Sequence, residues 1–454
     1  MKLRSNEFFG RRRMPLRSSI KYEINSEVGQ TKIVGFDFMK DIVALILAAG
    51  KGTRMRSDVP KVLHTILGWP IIDYVMNSVC KSGIEGVIVV AGYGKDEVAE
   101  AVKPAKVIVQ KRLLGSGDAV LRAKNVLKKC SGDVLVICGD TPLIRAATLK
   151  GMIAKHRTTN ASATVLTARL DDPASYGRIV RDNAGTIAKI TEKIEAGIAE
   201  DDIKEVNVGT YVFRIKDLFD ALSEVKPNAK KGEIFLTDTI EILRKTGKRV
   251  EGVEIKDVDE MIGINSRVDL AKATETVKKH ILYKLMESGV TIEDPASTVI
   301  FPGVKIGRDS VVHSNTVIES DVEAGSNCDI GPFARLRPGV RLGDNVEVGN
   351  FVELVRTRVG DNTKIKHHTY LGDTVVGKNV NVGAGTITAN FDGKKKNQTR
   401  IGSGAFIGIG SRLIAPVTIG ERAVVGAGSV VPKNHNVPAG ATVIGVPARI
   451  LKGR

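Results

Sequence analysis

Residues 311–354 read VVHSNTVIESDVEAGSNCDIGPFARLRPGVRLGDNVEVGNFVEL, and an aliphatic residue or alanine returns at every sixth position: Val312, Ile318, Ala324, Ile330, Leu336, Leu342, Val348 and Leu354. A period of six fits neither the ~3.6 of an α-helix nor the alternation of a simple hairpin. It fits a triangular parallel β-helix in which three hexads make one coil. Each hexad then supplies one short strand with its aliphatic side chain inward. Gly or Asn is expected at the corners, where the backbone needs positive φ.

The rule extends outward in both directions. Ile306 precedes it; after one-residue shortenings the register resumes at Val359, Ile365 and Leu371, then at Val376 and Val382. Beyond a polar excursion, ANFDGKKKNQT at 389–399, it continues at Ile401, Ile407, Leu413, Ile419 and Val425. These hexads give roughly seven coils, and an insertion in such a solenoid is a candidate functional loop. Of the 47 glycines, 23 fall after residue 300, so the architecture changes near residue 295.

The chain has 454 residues, 42% hydrophobic and 26% charged. That is enough for two or three domains with ordinary cores, and no apolar run approaches the ~18–20 residues of a bilayer span. A soluble protein without stable membrane association is expected. Its net charge of +17 suits either a nucleic acid or phosphorylated substrates. Aromatic residues total only 4% and form no evident stacking platform, which makes nucleic acid the weakest partner. Cys80, Cys130, Cys138 and Cys328 contain no CxxC pair, which argues against a zinc ribbon or disulfide framework and for a reducing cytoplasm.

Residues 1–38 carry Arg11, Arg12 and Arg13 without an apolar core behind them. A disordered basic extension is expected there rather than a secretory signal, with the start of the folded protein at Met39. From there to residue 265, apolar runs such as IVALILAA and DVLVICGD alternate with helical patterns. Crossover units and a Rossmann-like, mainly parallel α/β sheet follow. Residues 266–292 read as an amphipathic linker helix opened by Ser266 with Asp269 three positions on, a capping box. The β-helix occupies 293–454.

LAAGKGTRM, Leu47 to Met55, puts Gly50 and Gly52 with Lys51 and Arg54 directly after a strand. Phosphates need close backbone N–H groups and positive charge, and Lys61 adds a further cation. The spacing matches neither the P-loop nor the dinucleotide GxGxxG. A strand-to-helix turn with solvated cations is the plain alternative.

The longer string LAAGKGTRMRSDVPKVLH resembles the signature of sugar-1-phosphate nucleotidylyltransferases. LGSGDAV (114–120), GDTPLI (139–144), YGRIV (176–180), ITEK (190–193), EVNVG (205–209), GEIFLTD (232–238) and GIN (263–265) continue the likeness. With GPFARLRPG, GNFVE, KHHTYLGD and NVGAGTITANFDG in the repeat region, the chain resembles the bifunctional N-acetylglucosamine-1-phosphate uridylyltransferase and glucosamine-1-phosphate acetyltransferase family. The likeness covers nearly everything after Met39. It implies a nucleotidyltransferase domain followed by a left-handed parallel β-helix that makes UDP-N-acetylglucosamine, a precursor of peptidoglycan and lipopolysaccharide.

For the first domain the resemblance implies uridylyl transfer from UTP with Mg2+ held by Asp140 and Asn265, both oxygen donors as a hard cation prefers. Arg54 and Lys61 would offset triphosphate charge. Leu47, Ala48, Ala49, Gly50, Gln110, Gly115, Ser116 and Gly139 would line the nucleotide, and Gly177, Glu192 and Asn207 the sugar. For the β-helix it implies His367 as the base that frees the amine to attack acetyl-CoA. Alternation along a strand is expected to send the neighbouring His368 to the opposite face. Arg337 would bind the sugar phosphate, Tyr370, Asn381 and Asn390 the sugar, and Ala384, Asn390, Phe391 and Ala427 acetyl-CoA. Lys396 would lie near a phosphate; the plain reading of Lys394 to Lys396 is a solvated charge run. A homotrimer through the β-helix is implied as well.

The chain departs from the family pattern at Val355, where a lysine is usual and Arg356 is expected on the opposite strand face. It departs also at Ile409 for a serine, Leu113 for a glutamine and Gly445 for an arginine, and the solenoid is about two coils short. Two competing readings follow. One is another sugar nucleotidylyltransferase whose β-helix is regulatory or acylates a different substrate; the other is a non-catalytic scaffold subunit.

Overall fold

The computed structural model describes residues 41–451 apart from 131, 194–196, 198, 199, 201, 230 and 231. The expected basic extension and the start at Met39 lie outside the described residues. Contacts separate the chain into two compact units. One runs up to His64 and resumes over Pro70–Asp269; the other comprises Thr65–Trp69 and Leu270–Arg454.

The first unit is built on β1 (Ile42–Ala48), β2 (Gly86–Ala91), β3 (Lys106–Val109), β4 (Asp133–Cys138), β5 (Ala163–Arg169), a hairpin of β6 (Arg178–Arg181) and β7 (Ile187–Thr191), β8 (Glu205–Arg214) and β9 (Val250–Glu254). Its sheet order is β9-β5-β8-β4-β1-β2-β3, with the hairpin attached through β6 to β8. β1 runs parallel to β2 and β4, β2 to β3, and β5 to β9. β8 alone in that path is antiparallel, to both β4 and β5. The mainly parallel sheet expected from the sequence is therefore present with one reversed strand.

β1 carries no charge, and Val43, Ala44, Leu45 and Ile46 are fully buried, as in a central strand covered on both faces. Helix α1 (Ile71–Lys81) buries Ile71, Ile72, Val75, Met76, Val79 and Cys80. That stripe at i, i+4 and i+8 is the face a helix lays on a sheet. Because Leu47 pairs with Cys138, the loops that begin at Ala49 and Gly139 leave the same edge of the sheet. Ligands of α/β sheets collect at such strand ends.

Helix α2 (Arg267–Glu287) opens with the capping box read from the sequence. Ser266 Oγ accepts the Asp269 N–H at 3.2 Å, and Asp269 Oδ2 accepts the Ser266 N–H at 2.8 Å. Its apolar stripe is narrower than the amphipathic pattern suggested: Ala273, Val277 and Leu282 are its buried side chains.

In the second unit, short strands stack in three sheets of ten, eight and seven strands. Val317 pairs in parallel with Arg335, Arg335 with Glu353 and Glu353 with Tyr370, so a coil takes 18 residues, or 17 after a shortening. Inward positions from Ile306 to Val425 named above are all buried. This is the left-handed parallel β-helix the hexads imply. It begins earlier than they do, with Ile292 and Ile300 already inward, and ends in an antiparallel pair, Thr442–Gly445 with Ala448–Ile450.

The corners recur at left-handed φ; Asn315 and Asn327 take them as expected, and Asp309 and Asp321 do so where Gly or Asn was expected. The same slot also holds Phe333 (φ 56°), Phe351 (57°), Arg356 (47°) and His368 (45°). A side chain there costs roughly 1–2 kcal/mol. Three of these residues form a stacked column: Phe333 lies 5.2 Å from Phe351, and Phe351 5.0 Å from His368, between ring centroids. Strand alternation therefore does not separate His367 from His368, nor Val355 from Arg356. In each pair the first residue ends a strand and the second is the turn.

Candidate active sites

In the first unit Lys61 opens a single turn, Lys61–Leu63, directly after Pro60. Its Nζ bonds Asp140 Oδ2 and, at 3.1 Å, Asn265 Oδ1. A carboxylate and an amide oxygen from segments 125 residues apart in sequence thus converge on one cation. Among the described residues no group of three or more His, Cys, Asp or Glu side chains is placed to hold a metal. The pair suits a hard cation that takes its remaining ligands from water and phosphate oxygens.

Gly52, at φ 61°, sits against Lys61, while nothing lies within 4 Å of a Cβ built on Gly50. Arg54 is exposed on the turn Thr53–Met55. The loops are tied to one another: Gly139 N–H donates to Leu47 O at 2.9 Å and Tyr93 N–H to Ala49 O at 3.2 Å. Ala48 packs beside Gly139, 3.3 Å from a Cβ built there.

Gln110, 4% exposed, donates to Asp118 Oδ2 at 2.8 Å and Gly115 O at 3.2 Å. Ser116 Oγ accepts the Leu236 N–H at 3.0 Å. Both side chains brace the 110–118 loop. Gln110 also lines a hollow of ≈410 Å³ with Lys51, Tyr93, Lys95, Lys111 and the departure Leu113.

The expected sugar contacts gather as well. Asn207 N–H donates to Gly177 O at 2.9 Å, and Glu192 Oε1 accepts the Thr237 hydroxyl at 3.0 Å. Asn207 Nδ2 donates to the Tyr211 hydroxyl at 2.7 Å. Burial, aided by the Glu192 charge, pushes that phenol above its usual pKa, so it stays neutral. Burial also raises the Cys138 thiol to about 12, which leaves it protonated and no nucleophile.

In the β-helix, Arg337 Nη1 pairs with Glu353 Oε1 at 2.9 Å, and Glu353 is the register partner of Tyr370. Gly372 leaves room for two expected sugar contacts. A Cβ there would fall 2.7 Å from the Tyr370 hydroxyl and 2.5 Å from Asn390 Nδ2. Asn390, 5% exposed, donates to Asp373 Oδ2 at 2.5 Å, and Asp373 also takes Arg356 in a two-pronged ion pair. Val355 is 3% exposed, so the departure lies in the wall of the coil.

His367 Nδ1 lies 2.7 Å from Asn350 Oδ1; Asn381 continues the same sheet on the next coil. Ala384, Ile409 and Ala427 stand at one corner on successive coils, Gly410 donating to Ala384 O and Gly428 to Ile409 O, each at 2.7 Å. The excursion folds back on itself, with Asn397 N–H on Asn390 O at 2.7 Å. Lys396 is exposed, with its Nζ 5.0 Å from the centroid of exposed Phe391.

The nucleotidyl transferase family pattern matches residues 43–260, and the bacterial transferase hexapeptide pattern, six repeats, matches 398–433. The bifunctional protein GlmU of Pelotomaculum thermopropionicum is 44% identical over 413 residues, covering 83% of this chain and 90% of its own length. That of Geobacillus sp. (strain WCH70) is 43% identical over 443 residues, covering 90% and 96%. The chain belongs to the GlmU family of bifunctional proteins.

A solved structure titled UDP-glucose pyrophosphorylase complexed with UDP-glucose aligns over 53% of this chain and all of its own, at 22% identity and a TM-score of 0.45. Membership of the GlmU family gives each unit its transferase chemistry, and the alternatives of a scaffold subunit or a regulatory β-helix are not favoured. Sequence reasoning missed Thr237 and Asp373, although both stand inside strings it had quoted. Asn350, inside the quoted GNFVE, was passed over in the same way, while Tyr93, Lys95, Lys111 and Tyr211 gave no separate signal, since their relevance comes only from what the fold brings beside them.

Proposed function

We propose that the chain makes UDP-N-acetylglucosamine in two steps, and the convergence of Asp140 and Asn265 on the Lys61 ammonium carries the assignment of the first site. The sugar phosphate oxygen attacks the α-phosphorus of UTP and pyrophosphate leaves. Lys61 and Arg54 offset the charge of the phosphates, and the glycines of the loop let backbone N–H groups approach. Asp140 and Asn265 would hold Mg2+, which when bound supplies further neutralisation of the transferring phosphoryl group. Gly177, Glu192 and Asn207 fix the sugar, and the Gln110–Ser116 loop the uracil.

In the β-helix the amine of glucosamine-1-phosphate forms the amide bond to the acetyl carbon of acetyl-CoA as the C–S bond breaks. Its proton passes to His367 and on to the departing thiolate, which leaves as the free thiol. Arg337 holds the phosphate, Tyr370, Asn381 and Asn390 the sugar, and the corner of Ala384 and Ala427 with Phe391 and Lys396 takes acetyl-CoA. The exposed column of Phe333 and Phe351 supports assembly through the β-helix, as a homotrimer. No helix among the described residues is long and apolar enough to cross a membrane, and the free cysteines suit a reducing cytoplasm.

One assay tests the whole reading: glucosamine-1-phosphate, acetyl-CoA and UTP supplied together, with products followed by mass. Unmodified protein is expected to yield UDP-N-acetylglucosamine. Asp140→Ala should stop at the acetylated sugar phosphate, and His367→Ala should form neither product from these substrates while still using supplied N-acetylglucosamine-1-phosphate.

A further inference from the structure

Three features outside the roles assigned above bear a chemical reading: the carboxylates flanking His313, the Arg356–Asp373–Asn390 chain, and the contact between Asn350 and His367. The last carries furthest. Asn350 ends the strand Glu347–Asn350 and His367 ends Lys364–His367 on the next coil. The two are register partners in a parallel ladder, and the His368 N–H donates to Asn350 O at 3.0 Å. The backbone therefore holds both Cα positions, and the side chains meet at Nδ1···Oδ1 of 2.7 Å.

We propose that Asn350 is a positioning residue for the acetyl transfer: its amide oxygen accepts the Nδ1 proton of His367 and so leaves the Nε2 lone pair as the base. The inference rests on the assignment of His367 made above. A neutral imidazole carries one proton, and the partner of one nitrogen decides which nitrogen is free. An amide oxygen can only accept, so the proton sits on Nδ1 and the basic nitrogen is turned to the opposite edge of the ring. The carboxylate on Asn350's own strand does not compete for this role. Glu347, on the same strand as Asn350, is taken by Lys364 at 2.9 Å and Lys366 at 2.6 Å.

The geometry separates Asn350 from a merely structural asparagine through its chemistry. Asp at 350 has the same shape and is an acceptor only, so it preserves the tautomer but adds a negative charge that favours the imidazolium. Leu at 350 has similar bulk and offers no acceptor.

The test is steady-state acetyl transfer by the full chain, with uridylyl transfer on the same preparations as the control for folding. Asn350→Leu should lower kcat about 10- to 100-fold, the usual worth of a partner that orients a functional imidazole, with KM for acetyl-CoA changed little. Asn350→Asp should recover most of that loss at alkaline pH, with the rising limb of its pH–rate profile moved up by roughly one pH unit or more. An Asn350→Leu variant as fast as unmodified protein, alongside a dead His367→Ala, overturns the inference and leaves the assignment of His367 intact. Asn350→Asp as slow as Asn350→Leu at every pH also overturns it, because Asn350 would then be donating through Nδ2. An active His367→Ala removes the underlying assignment itself. If Asn350→Leu fails to fold, the isosteric Asp variant alone decides between these outcomes.

Discussion

A Cβ placed on Gly52 would lie 2.7 Å from the Cβ of Lys61, so the glycine of the first loop and the cation that gathers Asp140 and Asn265 share one space. Gly52 also sits at φ 61°, where a side chain is strained. Gly52→Ala should displace Lys61 from its two oxygen partners. A shift on the order of 1 Å costs about 10² in rate. Uridylyl transfer is expected to fall by that order while acetyl transfer holds, measured on one preparation with each substrate pair. Equal losses in both would point to unfolding.

His313 is held between two carboxylates from neighbouring coils, Glu293 on Nδ1 at 3.0 Å and Asp329 on Nε2 at 2.9 Å. Burial works against its charge, but the two hydrogen bonds outweigh it and raise its pKa above 6.5. A raised pKa means the imidazolium stabilises the fold fully below the ordinary value, and that this stability is lost as pH rises through the folded value. His313→Gln should therefore lower Tm most at about pH 6 and least at about pH 9. A gap that stays constant over that range would show that proton binding is not its source.

His367 and His368 should separate cleanly in mutants, though for a different reason from strand alternation. His367→Ala removes the base and should cost roughly 10²–10⁴ in acetyl transfer. His368 occupies the corner and stacks on Phe351, so His368→Ala should leave the rate within a few-fold and lower stability by about 0.5–1.5 kcal/mol, the worth of an aromatic pair. Urea titration of the two variants against their acetylation rates checks the split. The reverse ranking would make His368 the base.

How much of this could be read in advance depends on distance along the chain. The hexads were legible because burial in a solenoid repeats with a fixed local period, and Ile306 through Val425 needed no tertiary information. Asp140 and Asn265 could be paired only through resemblance, since nothing local marks two oxygens that a fold will bring to one lysine. Asn350 stood in the quoted string GNFVE, but its pairing with His367 was not legible: the register between them is 17 residues and depends on a shortened coil. The left-handed Phe333 and Phe351 also went against local preference, because stacking between coils is not encoded in one hexad. Thr65–Trp69 read as part of the first domain, yet groups by contact with the solenoid unit. There Phe301 approaches to 3.1 Å of a Cβ built on Gly68, a contact no local pattern announces.

Asp373 offers the sharpest test of how the acetyl site is held. It joins Arg356, Nε at 2.5 Å and Nη2 at 2.8 Å, to the buried amide of Asn390 at 2.5 Å. The Arg356 guanidinium, and after it the Asn390 amide, hold its carboxyl below the ordinary value of 3.8 against the opposing effect of burial. A depressed pKa gives stability that is present above the ordinary value and lost as pH falls through the folded one. Asp373→Ala would leave the Asn390 N–H without its acceptor at a 5% exposed position, a loss of about 1–3 kcal/mol. It would also free Arg356 from its corner. Asp373→Asn keeps an oxygen for Asn390 and forfeits only the charge on Arg356, so it should be the milder variant. Both should raise KM for glucosamine-1-phosphate, because Asn390 stands beside Tyr370 over Gly372, and neither should touch uridylyl transfer. The stability gap between unmodified protein and Asp373→Asn should begin to narrow as pH falls below 3.8 and close only beyond the lowered folded value, which urea titration at neutral and acid pH would measure. A gap that persists at low pH, or an unchanged KM in Asp373→Ala, would mean the carboxylate neither carries its charge into the fold nor positions Asn390 for substrate.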